Sequence, residues 1–128
     1  MLQLGKEKIS LNVVFDQTGT PTWAADLARA IFKITAIFKD EPDKYLPGIY
    51  NFSNEGVISW YDFTKAIFEI SGITCNVNPV LSSEFITAAQ RPHYSVLNKS
   101  KIKATFGIDI PYWKDSLKKC LNIIINTR

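Results

Sequence analysis

The chain has 128 residues, of which 46% are hydrophobic and 21% charged, and its formal net charge is +3. This balance is typical of one globular domain and excludes a disordered chain; a chain of this length buries roughly 70% of the surface that its unfolded form exposes. No apolar run reaches the about 18 residues needed to span a bilayer, and the first residues lack the apolar core of a signal peptide, so no membrane partner and no secretion are expected.

The cysteines and the basic residues narrow the class further. Cys75 and Cys120 are too few and too far apart for a disulfide framework or a zinc site. Their apolar neighbours predict buried free thiols, which fits a reducing cytoplasm. The densest basic group, Lys99, Lys101 and Lys103, is interpreted as a solvated helix face, with an anion site as the alternative. No nucleic-acid partner is expected, because the other basic residues are scattered.

Helices and short strands alternate in the first part of the chain. A helix ends near Gly5, a strand covers residues 11–15, and a turn follows. Thr20 is expected to cap the next helix, with Pro21 at its first position, where a missing N–H costs nothing. Residues 39–47 then form a charged loop and residues 48–53 a second strand. The apolar face of the helix is formed by Leu27, Ile31, Ile34 and Phe38.

The second part shows the same alternation. Ser59 and Asp62 form a capping box that opens a helix, and Gly72 ends it. Residues 73–80 form an edge strand and residues 82–94 a loop. A short helix follows, capped by Asn98 and closed by Gly107, and Pro111 starts the last helix. The two apolar stripes expected to pack together are Trp60, Phe63, Ile67 and Ile70 on one helix, and Trp113, Leu117, Cys120, Leu121 and Ile124 on the other.

The sequence contains no complete catalytic set. No glycine-rich fingerprint follows a strand and opens a helix, so no dinucleotide cradle is predicted. Tyr61 and Lys65 have the spacing of the short-chain dehydrogenase pair, but no catalytic Ser or Thr strand precedes them, and we interpret the match as chance. His93 is the only histidine, and it is interpreted as a surface or packing residue, since no ligand spacing surrounds it. No metal site is predicted.

Two segments have the composition of a binding site. The first, DQTGTPT over residues 16–22, joins a strand end to a helix start, where backbone N–H groups favour anions. Gln17, Thr20 and Thr22 add neutral hydrogen-bonding groups suited to sugar hydroxyls or a base edge. The alternative is a well-capped turn without a binding role.

The second segment is RPHYS, residues 91–95. Proline stiffens the loop and keeps Arg91 extended, so that its guanidinium offers a fixed fork to a phosphate pair. Tyr94 and Ser95 add hydroxyl groups. The alternative is an Arg91 paired with a local carboxylate such as Glu84.

Together these segments make the sequence recognisable. VVFDQTGTPTWAADLARAI, GIYNFSNEGVISWYDFTKAI and RPHYSVLNKSKIKATFGI resemble, in that order and spacing, the C-terminal half of the dTDP-4-dehydrorhamnose reductase family. The resemblance extends from about Leu2 to Leu121. It implies an α/β fold: a single substrate-binding domain over residues 1–128, with helices and short strands in small sheets, and with the Rossmann half absent.

The resemblance also implies a division of labour. Family members reduce the 4-keto group of dTDP-4-dehydro-L-rhamnose with NADPH, giving dTDP-L-rhamnose for surface polysaccharides. The N-terminal Rossmann half would bind NADPH and supply the catalytic Thr, Tyr and Lys, and this chain would be inactive without that partner. The dTDP-sugar would be bound here, by the candidates Gln17, Thr20, Thr22, Arg91, Tyr94 and Ser95. Some members form homodimers with magnesium between subunits.

A different reading uses the same fold. The regulatory subunit of methionine adenosyltransferase keeps the reductase shape and acts as a partner rather than an enzyme. Under that hypothesis the chain would belong to a non-catalytic regulatory module.

Overall fold

The computed structural model describes residues 1–44, 46–85 and 89–127. Five α-helices and four short strands lie within these ranges, together with single 3₁₀ turns at Pro42–Lys44 and Ser82–Glu84. The helices are α1 Leu2–Glu7, α2 Ala24–Asp40, α3 Trp60–Ser71, α4 Ser100–Phe106 and α5 Trp113–Asn126. The strands are β1 Ser10–Val14, β2 Thr18–Gly19, β3 Ile58–Ser59 and β4 Asn76–Val80.

The strands form two small sheets. β1 lies parallel to β4, with Ser10 opposite Asn76 and Val14 opposite Val80. β2 lies antiparallel to β3, with Thr18 opposite Ser59. Helices with short strands in small sheets are the predicted α/β architecture, which is thereby confirmed.

Two hydrophobic clusters support these sheets. The first joins α3 to α5 and contains Ala66, Ile67, Phe68, Trp113, Leu117 and Leu121. The second lies between α2 and α4 and contains Ala30, Ile102, Phe106, Ile108 and Ile110. The predicted packing of the last helix against α3 is therefore confirmed, and burial of these side chains at roughly 25 cal/mol per Å² is the main force that holds the two helices together.

The predicted ends of α3 are also confirmed. The Ser59 hydroxyl accepts a hydrogen bond from Asp62 N at 3.1 Å, and the Asp62 carboxylate accepts one from Ser59 N at 2.9 Å. Gly72 closes the helix in the left-handed conformation. In the short helix α4 the N-cap residue is Lys99 rather than the predicted Asn98, although Asn98 Oδ1 accepts a hydrogen bond from Ser100 N at 2.9 Å.

Residues 48–53 were expected to form a strand, and that prediction is wrong. Within the ranges that the structure describes, the segment pairs with no strand, and it forms no regular element. Its apolar alternation has another cause: Tyr50 and Phe52 pack against the second hydrophobic cluster. The Tyr50 ring lies 4.9 Å from that of Phe106.

The start and the inward face of α2 also differ from expectation. Trp23, not Thr20, occupies the N-cap position, and the Thr20 hydroxyl instead donates to the carbonyl oxygen of Gly56 at 2.5 Å. Leu27 and Ile31 are exposed, whereas Asp26 and Ala30 are the buried residues of the helix. A buried carboxylate breaks the apolar periodicity on which the prediction rested.

The first helix ends later, and the last helix begins later, than the sequence predicted. α1 continues through Gly5 to Glu7, because Gly5 serves packing rather than termination: a Cβ there would lie 2.6 Å from the Phe68 ring. α5 begins at Trp113 rather than at Pro111. The carbonyl oxygen of Pro111 accepts a hydrogen bond from Glu55 N at 2.9 Å, which holds this segment in a bridge instead of a helix.

The lysine group is only partly the solvated face that was predicted: Lys101 and Lys103 are exposed, but Lys99 is not. Lys99 is buried, and its ammonium donates to Asn54 O at 3.1 Å and lies 3.2 Å from Glu55 Oε2. Lys103 pairs with the same carboxylate. The two cysteines are free, as expected, but half-buried rather than buried. Among the described residues, no helix is long and apolar enough to cross a membrane.

Candidate functional site

The two predicted binding segments meet at Thr18. Thr18 N donates to His93 O at 2.8 Å, and Ser95 N donates to Thr18 O at 2.9 Å, so the loop at residues 93–95 runs alongside β2. On its other side Thr18 pairs with Ser59 of β3. Backbone hydrogen bonds therefore bring three separate stretches of sequence together at one place.

A cleft of about 290 Å³ opens at this junction. Four of the predicted site residues line it: Gln17, Thr20, Arg91 and Ser95. The lining also includes apolar groups that the sequence reasoning did not assign to the site, namely Pro21, Ile58, Trp60, Phe63 and Pro92. A concave surface that combines aromatic walls with a few polar groups is the usual form of a small-molecule site.

Thr22 and Tyr94 lie outside this lining. The Thr22 hydroxyl faces its own turn and donates to Thr20 O at 3.4 Å. Tyr94 contributes its backbone to the bridge with Thr18, while its side chain is 65% exposed. Their assignment to the binding site therefore stays a prediction without geometric support.

Several cleft residues make internal hydrogen bonds that fix their positions. Gln17 Nε2 donates to Ser82 Oγ at 2.9 Å. The amide oxygen of Gln17 is then the group that can accept a hydrogen bond from a ligand. The Ser95 hydroxyl donates to Thr18 O at 3.1 Å. These side chains are therefore held in place before any ligand arrives.

Arg91 differs from its neighbours. It is exposed, and within the described part of the chain it forms no ion pair with a carboxylate. Glu84, the predicted alternative partner, instead accepts a hydrogen bond from Leu81 N at 2.8 Å. The guanidinium of Arg91 thus remains available to an anion in the cleft.

A second cavity of about 320 Å³ shares Gln17 and Arg91 with the first and is lined further by Asp16, Ser82 and His93. The hydrogen bond from Ser82 holds the pKa of the Asp16 carboxyl below its ordinary value, against the effect of burial. His93 Nδ1 lies 2.9 Å from Asp16 O, and its side chain is 71% exposed. That position agrees with the surface or packing role predicted for this histidine.

A buried polar network forms around Asn54, and sequence reasoning missed it. Asn54 is 0% exposed; its Nδ2 donates to Asp26 Oδ2 at 2.7 Å, and its Oδ1 accepts from Trp23 N at 2.9 Å. The Ser116 hydroxyl donates to the same Asp26 oxygen at 2.5 Å. No sequence pattern indicates this cluster, because its members lie 28 to 90 residues apart.

Burial opposes ionisation of the Asp26 carboxyl, but hydrogen bonds from Ser116, Asn54 and Arg29 outweigh it and hold the pKa of Asp26 below its ordinary value. The network therefore contains a buried carboxylate that is negatively charged at neutral pH. It links the start of α2 to the start of α5 and fixes the backbone just after the Thr20 turn.

The remaining chemical candidates lie elsewhere. Tyr61 and Lys65 do not line the cleft, which agrees with a chance match to the dehydrogenase spacing. Among the described residues, no group of three or more His, Cys, Asp or Glu side chains could hold a metal ion. A magnesium ion therefore receives no support from this chain.

Known proteins are similar in sequence to this chain. The sequence model described as RmlD substrate binding domain matches residues 1–125. The spore coat polysaccharide biosynthesis protein SpsK of Bacillus subtilis is 39% identical over 121 residues, which make up 94% of this chain and 40% of that protein. A dTDP-4-dehydrorhamnose reductase of Sinorhizobium fredii is 37% identical over 93% of this chain and 42% of its own length.

Solved structures show the same relationship. A dTDP-4-dehydrorhamnose reductase from Clostridium acetobutylicum superposes with a TM-score of 0.85 at 39% identity, over 97% of this chain and 42% of its own. The Bacillus anthracis reductase, solved in complex with NADP, also gives 0.85, at 35% identity over 95% of this chain and 41% of its own. The chain thus spans about two fifths of the relatives it matches, and it belongs to the RmlD substrate-binding domain family.

Proposed function

We propose that this chain is the nucleotide-sugar binding part of an NADPH-dependent dTDP-4-dehydrorhamnose reductase. The observation that carries the proposal is the cleft at Thr18, where an unpaired Arg91 stands beside fixed neutral groups and an aromatic wall. This combination suits a ligand with a diphosphate, hydroxyl groups and a planar ring. Among the relatives that share nearly all of this chain are dTDP-4-dehydrorhamnose reductases.

The proposed roles follow from side-chain chemistry. The guanidinium of Arg91 donates paired N–H groups to the diphosphate oxygens, a charge-assisted contact that is stronger than a neutral hydrogen bond. The free amide oxygen of Gln17 accepts from a ligand hydroxyl or base N–H. The Ser95 hydroxyl, which donates to Thr18 O, accepts through its lone pairs. Thr20 has a structural role, because its hydroxyl donates to Gly56 O and so fixes the turn that contains Gln17.

In this proposal the reduction is carried out by the N-terminal Rossmann half of the same reductase. No glycine-rich loop is present in this chain to cradle a dinucleotide. When bound, the nicotinamide would supply the hydride for the keto carbon. The residues of this chain hold the nucleotide sugar in a fixed orientation, which lowers the entropic cost of that reaction. The product would be dTDP-L-rhamnose for surface polysaccharide.

The regulatory-subunit alternative has less support. The relatives cited above that carry an enzymatic description are reductases. An unpaired arginine in a preformed cleft also fits a ligand-binding site better than a purely protein-binding module.

Calorimetric titration of the natural reductase that carries this domain, with dTDP as the ligand, tests the proposal. Arg91→Ala should weaken the binding of dTDP about 12- to 140-fold, since hydrogen bonds to charged groups contribute about 1.5–3 kcal/mol. Lys119→Ala, an exposed residue of α5 outside the cleft, is the matched control and should bind like the wild type. Equal affinity of the Arg91 variant, or failure of the wild type to oxidise NADPH with the keto-sugar, would contradict the proposal.

A further inference from the structure

Trp60 is the most unusual residue of the cleft wall. It is 49% exposed although it is one of the largest apolar side chains, and it lines the cleft together with Phe63 and Pro92. Water-exposed aromatic surface inside a concave site is costly for the free protein and is typical of a place where a ligand binds. The α3 stripe predicted from sequence counts this residue as core, whereas the structure turns it to the cleft.

The backbone that carries Trp60 is fixed on both sides. The Ser59–Asp62 capping box precedes and spans it, and its carbonyl oxygen accepts a hydrogen bond from the Thr64 hydroxyl at 2.9 Å. The antiparallel pair of β3 with β2 ties the same helix start to the Gln17 turn. The main chain at this position therefore needs no rearrangement before a ligand binds.

The ring itself is also supported. The Trp60 and Phe63 ring centroids lie 6.3 Å apart at 66°, and Phe63 lies 6.2 Å from buried Trp113 at the same angle. This row of edge-on aromatic contacts runs from the first hydrophobic cluster to the cleft. It holds part of the indole against protein, while about half of Trp60 stays exposed and the residue lines the cleft.

We infer that Trp60 is the stacking residue for the pyrimidine base of the bound nucleotide, and thereby a specificity-determining residue of this domain. The inference deepens the proposed function and depends on it. A base has two apolar faces and a polar rim, so it matches an indole flanked by Ile58, Phe63 and Pro92, with Gln17 available to the rim. A sugar ring is puckered and carries hydroxyl groups, so it offers the indole less flat apolar surface than a base does.

The test compares the wild type with its variants by calorimetric titration of the natural reductase, first with dTDP as the ligand. Trp60→Ala should weaken dTDP about 5- to 140-fold, the range expected for loss of one base–aromatic stack of about 1–3 kcal/mol. Trp60→Phe should recover most of the affinity, because a smaller ring still stacks. Phe32→Ala is the matched control: it removes an exposed aromatic of α2 that lies outside the cleft lining, and it should not change the affinity.

Inorganic pyrophosphate is the second ligand, and it separates the contribution of the phosphates to binding from that of the base. Its binding should be weakened by Arg91→Ala and unchanged by Trp60→Ala, since it has no base. If the wild type binds no dTDP, the proposed function fails; if the wild type binds and Trp60→Ala binds equally well, this inference alone fails. A loss in Trp60→Ala that is seen with the dTDP-sugar but not with dTDP would place the sugar ring on the indole and overturn the assignment of the base. Circular dichroism of each variant confirms that the fold is intact.

Discussion

The backbone N–H of Ser95 donates to the carbonyl oxygen of Thr18 at 2.9 Å, although the two residues are 77 positions apart in sequence. This hydrogen bond and its neighbour from Thr18 N to His93 O unite the two segments that sequence reasoning selected separately. Because main-chain atoms make the contact, the relative position of the two segments does not depend on which side chains they carry. The cleft is therefore a feature of the fold.

Gly56 is expected to tolerate no side chain. Its φ is +104°, and a Cβ there would lie 2.4 Å from Trp113 Cδ1. Gly56→Ala should lower the free energy of unfolding by about 2–5 kcal/mol, through backbone strain and overpacking together. Gly72→Ala is the control, since Gly72 also has a positive φ but has no atom within 4 Å of the added Cβ; it should lose only about 1–2 kcal/mol. Urea unfolding measures both, and equal losses would show that packing against Trp113 is unimportant.

Asp26 should make the stability depend on pH. Its folded-state pKa is lowered, so its contribution is present above the unfolded value of about 3.9 and is lost as the pH falls through the folded value. At pH 7 Asp26→Asn should lower the free energy of unfolding by about 1.5–3 kcal/mol, the range of hydrogen bonds to a charged group. The difference from the wild type should begin to shrink below about pH 4, where the carboxyl of the unfolded chain takes up a proton, and should be lost once the pH falls below the lowered pKa of the folded state.

Urea titrations at pH 7 and at about pH 3.5 measure this change. Asp115→Asn serves as the control, because Asp115 is an exposed carboxylate in the first turn of α5 and makes a comparable change of charge. A difference between wild type and Asp26→Asn that stays constant across the two pH values would refute the role of the buried charge.

Lys99 should contribute more to stability than its neighbours in the lysine group. Lys99→Met keeps the length of the side chain but leaves the buried carbonyl of Asn54 without its donor, which should cost about 1–3 kcal/mol. The ion pair of Lys103 with Glu55 remains and limits the loss; its hydrogen bond also holds the pKa of Glu55 below the ordinary value. Lys101→Met, at an exposed position over the Tyr50 ring, should change stability by less than about 1 kcal/mol. Thermal unfolding that ranks the two variants in the opposite order would disprove this assignment.

The parts of the fold that local chemistry determines were predictable. The capping box at Ser59, the left-handed Gly72 and the α3–α5 stripe each depend on residues within one or two helical turns. The family was predictable for a different reason, since three long motifs recur in a fixed order. Four of the six proposed site residues reached the cleft because they lie on the segments that those motifs define.

The failures share one physical cause, which is long-range contact. Thr20 bonds to Gly56 rather than capping α2, Lys99 is drawn inward by Asn54 and Glu55, and Asp26 replaces an expected apolar residue on the buried face of its helix. Each of these side chains has a partner at least 28 positions away. Periodicity and turn chemistry describe neighbours along the chain, so they do not register such partners. Trp60 was assigned to the core for the same reason.

The two-sided pairing of Thr18 has an evolutionary consequence. Main-chain bonds set the architecture of the cleft, while side chains at Gln17, Trp60 and Arg91 supply its chemistry. Substitutions at those three places should alter which ligand is preferred without dismantling the scaffold. Descendants of one ancestral domain would thus differ in ligand specificity while their backbones remain superposable.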